Sequence, residues 1–411
     1  MRYVIIGNSA AAVGTIEGIR QVDGAGSITV ISDEAYHTYS RPLISYLLCE
    51  KTTEERMKYR PDDFYEKNGA ALLLGRHVCA IRPEEKTVLL EDGEEIAYDK
   101  LMVATGSRPF IPPMEGLETV EKRFTFMTLK DAKALEAALT PKSRVLIVGA
   151  GLIGLKCAEG IHGRVGSIAV VDLADRILPS ILDAEGSSIV QRFLEAKGIV
   201  FYLSDSVRQF LPERALLQSG KEIGFDVVVI AVGVRPNTEL VAQAGGKVSR
   251  GIAASDCGET SLPDIYAAGD CCESHDITTG QNRILALLPN AYMQGEAAGI
   301  AMAGGEAHFK KAVPMNAIGF FGLHMITAGS YDGDAEILQD SEGNYKKLVT
   351  KDGLLKGYIL IGNVERAGIY TSLIREETPL AAIDYQLIKE KPQLMAFSRK
   401  QRAEKLGGMR I

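Results

Sequence analysis

The sequence lacks the usual features of metal sites, membrane segments and nucleic-acid surfaces. Its 411 residues include six cysteines without CxxC or other metal-ligand spacing, which argues against a zinc or iron–sulfur site in the chain. No apolar run approaches the roughly 18 residues of a membrane helix, and no basic region with an apolar signal core precedes the first strand. The net charge of −7 disfavours nucleic acid as a partner. We therefore expect a cytoplasmic protein with reduced thiols, no metal and no membrane contact.

The stretch from Val145 to Asp172 organises the chain. An apolar run is followed by three glycines in GxGxxG spacing, a helix-compatible segment, a second apolar run and an acid, which is the order of a dinucleotide-binding βαβ unit. The first glycine permits a tight turn, the second lets the backbone approach a pyrophosphate, and the third lets the helix pack close to the strand. Asp172 is placed to accept hydrogen bonds from an adenosine ribose. The candidate residues for this nucleotide are Gly149, Gly151, Leu152, Ile153, Gly154, Asp172, Val232 and Gly233.

A second copy of this unit opens the chain. A strand from Tyr3 to Ile6 leads into a loop beginning at Gly7, a helix to about Gln21, and a strand from Ser27 to Ile31. In the loop, Ser9 and Ala12 replace two of the expected glycines, but small residues still allow close approach. Two such units predict one chain that holds two dinucleotides.

Two later strands end alike, in Ala104-Thr105-Gly106-Ser107-Arg108-Pro109 and in Ala231-Val232-Gly233-Val234-Arg235-Pro236. Glycine lets the chain turn beside a cofactor, and proline stops the strand. We place the first of these strands in a small antiparallel sheet over residues 77–103. A further signature, Ile265-Tyr266-Ala267-Ala268-Gly269-Asp270, follows an α/β block over residues 119–237.

Together these motifs resemble the pyridine nucleotide-disulfide oxidoreductases over roughly residues 1–375. The resemblance implies an α/β fold with two Rossmann-like dinucleotide-binding domains, as in glutathione reductase, and a small α+β C-terminal domain. It implies FAD on the N-terminal unit and NAD(P)H on the inserted one. It also implies that Asp270 forms a hydrogen bond with the flavin ribityl chain. The helix that begins at Pro289 is implied to point at the isoalloxazine, where its positive end would stabilise reduced flavin. The implied FAD-binding residues are Gly7, Ser9, Ala10, Ala11, Asp33, Glu34, Arg41, Pro42, Ala104, Thr105, Gly106, Gly269, Asp270, Pro289 and Ala291.

The implied domain boundaries follow from the order of the motifs. They are an FAD-binding domain in two parts (1–118 and 238–308), an NAD(P)H-binding domain (119–237), a C-terminal α+β domain (309–380) and a basic helical tail (381–411). A carboxylate at Asp172 accepts a ribose 2′-hydroxyl and repels a 2′-phosphate, so we favour NADH over NADPH. Arg176 is nearby and could still reach a phosphate.

The sequence departs from the family where a redox disulfide would lie. Residues 40–45 contain no cysteine, and Cys49 lies too far along the next helix to contact the flavin, so electrons should leave the flavin directly. The segment YSRPLISYLL resembles the branch with NADH:rubredoxin oxidoreductases and nitrite reductase flavin domains, as does Gly353–Asn363. In other branches a lysine replaces Tyr46 and a glutamate replaces Lys156. No catalytic side chain is certain, and Arg41, Pro42, Tyr46 and Lys156 are candidate neighbours of the flavin or nicotinamide.

The remaining candidates also have simpler interpretations. Arg41 is either an anion ligand or a surface arginine before a proline. Cys157, Cys271 and Cys272 are most simply packing residues, since buried free cysteine is common.

The sequence therefore predicts an FAD enzyme that passes electrons between NAD(P)H and a small iron–sulfur carrier of the rubredoxin or ferredoxin type, in either direction. The alternatives are an NADH oxidase, which reduces O₂, and a non-enzymatic flavoprotein scaffold that responds to NADH. A thiol-disulfide reductase using Cys49 is a weaker third possibility. The family leads us to expect a homodimer or a subunit of a complex.

The C-terminal tail differs in charge from the rest of the chain. From Asp384 onward it carries basic residues at 389, 391, 399, 400, 402, 405 and 410 against acids at 384, 390 and 404. Residues 393–406 are compatible with a helix. The basic tail, residues 389–410, is either a docking arm for an acidic electron carrier or a solvated helix or dimer contact.

Overall fold

The computed structural model describes residues 1–339 and 343–406. The strands are β1 (Arg2–Ile6), β2 (Ser27–Ser32), β3 (Ala70–Leu74), β4 (Val78–Arg82), β5 (Thr87–Leu90), β6 (Glu95–Ala97), β7 (Lys100–Val103), β8 (Ser107–Pro109), β9 (Arg123–Phe124), β10 (Arg144–Val148), β11 (Ser167–Val171), β12 (Ile199–Tyr202), β13 (Val207–Leu211), β14 (Arg214–Leu217), β15 (Glu222–Gly224), β16 (Val227–Ile230), β17 (Val234–Pro236), β18 (Ile265–Ala267), β19 (Ser274–Asp276), β20 (Gln281–Arg283), β21 (Met315–Phe320), β22 (Leu323–Gly329), β23 (Asp334–Gln339), β24 (Tyr345–Lys351) and β25 (Leu354–Ile361).

The helices are α1 (Ala10–Val22), α2 (Ile44–Leu48), α3 (Glu54–Met57), α4 (Phe64–Lys67), α5 (Leu129–Ala138), α6 (Leu152–Ile161), α7 (Ala184–Glu195), α8 (Glu239–Gln243), α9 (Leu288–Met302), α10 (Ala367–Arg375), α11 (Tyr385–Glu390) and α12 (Arg399–Leu406). The chain forms two compact units. The first contains residues 1–274 and 283–309, and the second contains residues 275–282 and the chain from Lys310 onward.

The first unit contains the same arrangement twice. One parallel sheet has the order β18-β7-β1-β2-β3, and the other has the matching order β9-β16-β10-β11-β12. A three-stranded antiparallel sheet, β4-β5-β6 or β13-β14-β15, is inserted before the strand that returns to the parallel sheet. This repeat confirms the predicted pair of Rossmann-like folds.

The strand pairing is equivalent in the two repeats up to the last residues of the strands. Ile6 pairs with Ile31 in the first sheet, and Val148 pairs with Val171 in the second. The central strands are buried along nearly their whole length, as expected when helices cover both faces of a parallel sheet. The glycine loops therefore leave both sheets at the same relative position.

One strand assignment was wrong. The segment Lys100–Val103 was predicted to lie in the antiparallel sheet, but it forms β7 and pairs in parallel with β1 and β18. Leu101, Met102 and Val103 are all buried, so this strand lacks the alternation of a half-exposed sheet. Only β4, β5 and β6 form the small antiparallel sheet.

Helices α1 and α9 pack against each other unusually closely. A Cβ atom on Gly14 would lie 2.2 Å from the carbonyl oxygen of Tyr292, and one on Gly295 would lie 2.0 Å from that of Ala11. Gly18 and Gly299 make equivalent contacts one turn further along. Because contacts advance in the same direction along both helices, the helices are parallel and their first turns lie at the same end.

The second unit contains a five-stranded antiparallel sheet, β21-β22-β25-β24-β23, packed against α10. Tyr358 of β25 and Tyr370 of α10 are buried in its core. These elements confirm the predicted small α+β domain.

The basic tail begins at the end of α11 and is partly packed into this core. Ala396 and Phe397 are buried in it, and the helix predicted over residues 393–406 is interrupted at Phe397. The regular helix α12 begins only at Arg399. Arg410 lies outside the described residues.

The helix contact leads to a first prediction. We expect Gly295→Ala to lower the free energy of unfolding by about 1–3 kcal/mol, because the added methyl group has no space beside the backbone of α1. Urea unfolding followed by circular dichroism measures this change. Gly24→Ala is the matched control, since no atom lies within 4 Å of its Cβ position. Equal stability of the two variants would contradict the close packing.

Candidate functional site

Equivalent glycine turns begin the two loops. Gly7 and Gly149 have φ angles of +110° and +116°. A Cβ atom on Gly7 would lie 2.1 Å from the Ala104 oxygen, and one on Gly149 would lie 2.3 Å from the Ala231 oxygen. Each glycine amide donates a 2.8 Å hydrogen bond to the strand beyond its helix. Both loops therefore pack against the carboxyl end of a neighbouring strand, where nucleotides bind in folds of this kind.

The first site lies where α1 and α9 begin. Ser9 precedes α1, and Ala10 and Ala11 form its buried first turn. A Cβ on Gly269 would lie 3.1 Å from the Cβ of Ala11 and 3.6 Å from that of Ala291. The Gly269 amide donates to Gln294 Oε1 at 2.9 Å. Predicted residues from three distant stretches are thus brought together, including Pro289 in the first turn of α9.

Two positive helix ends meet at this site. In the described residues no side-chain oxygen caps the first turn of α1, α6 or α9, whereas Thr128 caps α5 and Asp183 caps α7. Uncapped first turns leave amide groups available to an external acceptor. A phosphate group or an electron-rich ring would provide such an acceptor, so the site fits a dinucleotide.

Asp270 is the acid of this site. Burial raises the pKa of its carboxyl, and the Arg41 guanidinium opposes that shift. Arg41 itself binds Glu34 at 2.5 Å, so the predicted anion ligand already has a carboxylate partner. Arg41 and Pro42 form a short 3₁₀ turn that leads into α2.

The two acids after β2 have different surroundings. Glu34 accepts hydrogen bonds from Arg41 and from the Tyr39 hydroxyl, the latter at 2.6 Å. Asp33 is mostly exposed and pairs with His77 at 3.0 Å. Tyr39, which sequence reasoning missed, also accepts a hydrogen bond from the Leu129 amide at 2.9 Å. Burial raises the pKa of Tyr39, which keeps its hydroxyl protonated as the donor to Glu34.

The second site forms at the start of α6. Gly151 has no atom within 4 Å of its Cβ position, so the loop is open where a pyrophosphate would approach. A Cβ on Gly154 would lie 2.0 Å from the Gly149 oxygen, which agrees with the close packing predicted for the third glycine. Leu152 and Ile153 form the first turn of the helix.

Asp172 holds this loop in place. Its carboxylate accepts hydrogen bonds from the Ala150 amide at 2.6 Å and from the Ala174 amide at 2.8 Å. Leu173, which is 77% exposed, and Val232, which is 38% exposed, provide apolar surface at the ends of β11 and β16. An acid between amide donors and exposed apolar side chains suits a ribose with an attached base. Sequence reasoning did not identify Leu173.

The two glycine-containing strand ends pair with each other. β8 and β17 form an antiparallel ribbon in which Arg108 lies opposite Arg235. Asn237 donates from Nδ2 to the Thr105 oxygen at 2.9 Å, and Thr105 Oγ1 donates to the Asn237 oxygen at 2.7 Å. Gly106 and Gly233 both have open space at their Cβ positions. The ribbon therefore joins the two repeats directly.

Tyr46 and Lys156 are in contact between the two repeats. Lys156 Nζ lies 4.5 Å from the centroid of the Tyr46 ring and pairs with the buried Glu159. Sequence reasoning missed Glu159, because nothing in the sequence indicates that α2 packs against α6.

The cysteines are free thiols. Cys157, Cys271 and Cys272 are buried, and burial raises the pKa of all three thiols. Cys49 lies at the end of α2 with its Sγ 3.6 Å from the Tyr46 oxygen. In the described part of the chain no group of three or more His, Cys, Asp or Glu could hold a metal, and no helix has the length and apolarity to cross a membrane.

Comparison with known proteins gives two family matches. Residues 1–295 match the model described as pyridine nucleotide-disulphide oxidoreductase, and residues 314–378 match that of the rubredoxin NAD⁺ reductase C-terminal domain. The chain is similar to the NADH-dependent phenylglyoxylate dehydrogenase subunit epsilon of Aromatoleum evansii, with 31% identity over 93% of each chain. It is 30% identical to the rubredoxin-NAD(+) reductase of Pseudomonas putida, over 72% of this chain and 78% of the relative.

Other similarities differ in extent. The nitrite reductase [NAD(P)H] of Bacillus subtilis is 30% identical over 92% of this chain, which spans 48% of that protein's length. Among solved structures, the covalent putidaredoxin reductase–putidaredoxin complex has a TM-score of 0.87, 23% identity and 99% coverage of each chain. At that identity the likeness shows the fold alone.

Asp172 provides a second prediction. We expect Asp172→Asn to weaken NADH binding by about tenfold, since one loop hydrogen bond and an anionic acceptor are lost. Binding of NADPH should weaken less, because the 2′-phosphate no longer meets a carboxylate. Fluorescence titration with both nucleotides measures the change. Glu195→Gln, an exposed acid on α7, is the control, and equal losses for both nucleotides would contradict the assignment.

Proposed function

Because the chain belongs to the pyridine nucleotide-disulphide oxidoreductase family, we propose that it is an FAD-dependent enzyme that transfers electrons between NADH and a small iron–sulfur carrier of the rubredoxin or ferredoxin type. FAD supplies the required chemistry when bound, since it exchanges two electrons with NADH and single electrons with a carrier. The residues of the chain bind and orient the two dinucleotides. The carrier named for the Pseudomonas putida relative supports this choice of partner.

The meeting of two uncapped helix ends beside Gly269 is the observation that carries the FAD assignment. We assign FAD to residues 1–118 and 238–308, with Gly7, Ser9, Ala10, Ala11 and Asp270 in the site. Support comes from the first parallel sheet, which combines β1 and β7 with β18 from the later segment. A helix end carries partial positive charge, so it favours phosphate and an electron-rich ring.

NADH is assigned to residues 119–237. The loop from Gly149 to Gly154 would hold the pyrophosphate, and Asp172 would hold the adenosine ribose. Arg176, which follows Asp172 by four residues, pairs with Asp175 at 2.8 Å and so already has a carboxylate partner. This pairing supports NADH rather than NADPH.

An anaerobic double-mixing experiment tests the proposed function. We expect NADH to bleach the flavin absorbance near 450 nm rapidly, and oxidised rubredoxin or ferredoxin to restore it rapidly in the second mix, with slow recovery in air. Cys49→Ser should behave like the wild type, because no thiol takes part. Recovery with O₂ alone would favour the NADH oxidase. Absence of bleaching by NADH and NADPH would overturn the enzyme assignment and favour the scaffold.

We further propose that α12 attracts the carrier. Arg399 and Lys400 are exposed, and the buried Phe397 anchors the chain before the helix. Surface charges of this kind accelerate encounter with an acidic partner and do so less at high salt. At the start of the basic tail, Lys389 already pairs with Glu336 of β23 at 3.0 Å.

Charge reversal on α12 tests this docking proposal. We expect Arg399→Glu with Lys400→Glu to lower the second-order rate of carrier reduction by about tenfold at low ionic strength, with the difference shrinking as salt is added. Flavin bleaching by NADH should not change. The control is Lys310→Glu with Lys311→Glu, the same charge change at exposed positions elsewhere in the second unit. A loss that is equal in both variants, or independent of salt, would contradict docking at α12.

The family also leads us to propose assembly as a homodimer or as one subunit of a complex. The phenylglyoxylate dehydrogenase relative is named as a subunit, which supports the second arrangement.

A further inference from the structure

Four side chains form a compact cluster between α2 and α6, which we call the seam cluster: Tyr46, Lys51, Lys156 and Glu159. Lys156 pairs with Glu159 and lies 4.5 Å from the Tyr46 ring centroid. Lys51 approaches the same carboxylate at 3.9 Å and the same ring at 5.8 Å. One acid and one aromatic ring are therefore shared by two lysines.

The cluster has an excess of one positive charge. Glu159 is 6% exposed, so its carboxylate needs nearby cations to offset the loss of hydration. Lys156 is 18% exposed and is held from two directions, by the carboxylate and by the ring face. Its ammonium group is thus confined to a small region instead of moving freely in solvent.

The position of the cluster gives this charge a role. Helix α2 follows the turn at Arg41, whose guanidinium acts on Asp270 in the first site, and α6 starts at the second glycine loop. The helices are closely packed, because a Cβ on Gly160 would lie 2.9 Å from the Ser45 oxygen. In the proposed function, a nicotinamide that approaches the first site from the second loop passes this seam. This step relies on the proposed function.

The two forms of the nucleotide differ in charge at the ring that reaches the seam. The nicotinamide ring of NAD⁺ carries a formal positive charge, whereas the ring of NADH is neutral. A confined cation raises the free energy of bound NAD⁺ and leaves that of NADH nearly unchanged. Lys156 therefore destabilises bound NAD⁺, and the negative charge of Glu159 reduces this effect.

We propose that Lys156, held by Glu159 and Tyr46, is a specificity-determining residue that disfavours NAD⁺ relative to NADH. The seam cluster then promotes release of the oxidised nucleotide and favours electron flow from NADH towards the carrier. Glu159 acts as a positioning residue, since it orients the lysine and limits the net charge of the seam.

Calorimetric titration of the oxidised holoenzyme tests this inference. The ligands are NAD⁺ and its tetrahydronicotinamide analogue, which is neutral like NADH and does not reduce the flavin. We expect Lys156→Met to tighten NAD⁺ binding about fivefold, because the positive charge near the nicotinamide is removed. Glu159→Gln should weaken NAD⁺ binding about fivefold, because the carboxylate that partly screens Lys156 is lost. Affinity for the neutral analogue should stay within about twofold in both variants.

Opposite signs in the two variants separate this effect from structural damage, which would weaken both ligands in both variants. Lys197→Met is the matched control, since Lys197 Nζ lies 5.3 Å from the ring centroid of Phe193, an aromatic residue of the same unit that does not belong to the seam cluster. An equal shift for both ligands, or no shift in Lys156→Met, would overturn the inference. Failure of the wild type to bind either ligand would instead overturn the proposed function.

Discussion

The close parallel contact of α1 and α9 is the constraint on which the first site depends. Each helix presents glycines to the backbone of the other, so their axes come closer than larger side chains would permit. Because the contact is parallel, the two positive helix ends lie side by side and next to Gly269. The chain reaches this arrangement only after the whole second repeat, which explains why the FAD assignment needs residues from both ends of the first unit.

The repeat explains how the second site resembles the first and where they differ. In both, a glycine of positive φ packs on the carboxyl end of a neighbouring strand, and the helix that follows has no side-chain cap. In the first repeat the strand-end acid Glu34 binds Arg41 and Tyr39, whereas in the second Asp172 holds the loop itself. Equivalent backbones thus place equivalent acids in different electrostatic surroundings.

Local signals carried most of the successful prediction. Glycine spacing, apolar runs and the acids that end them lie within about 30 residues of one another, so the two βαβ units and the class of fold could be predicted. The failures involve contacts between distant residues. Lys100–Val103 is buried on both faces and lies in the parallel sheet, and Phe397 packs into the core where a continuous tail helix was predicted. Tyr39, Glu159 and Asn237 matter through partners in other segments, which no local pattern reveals.

The departures from the family pattern form a consistent set. Cys157, Cys271 and Cys272 are buried and residues 40–45 contain no cysteine, which supports the proposed transfer of electrons between the dinucleotides and the carrier without a thiol relay. Discrimination then has to come from charge and geometry rather than from covalent chemistry. In this chain the charge lies at Lys156, and a buried carboxylate one turn along the helix keeps it there. Tyr46 and Lys156, the two departures from the other branches, therefore belong to one electrostatic arrangement.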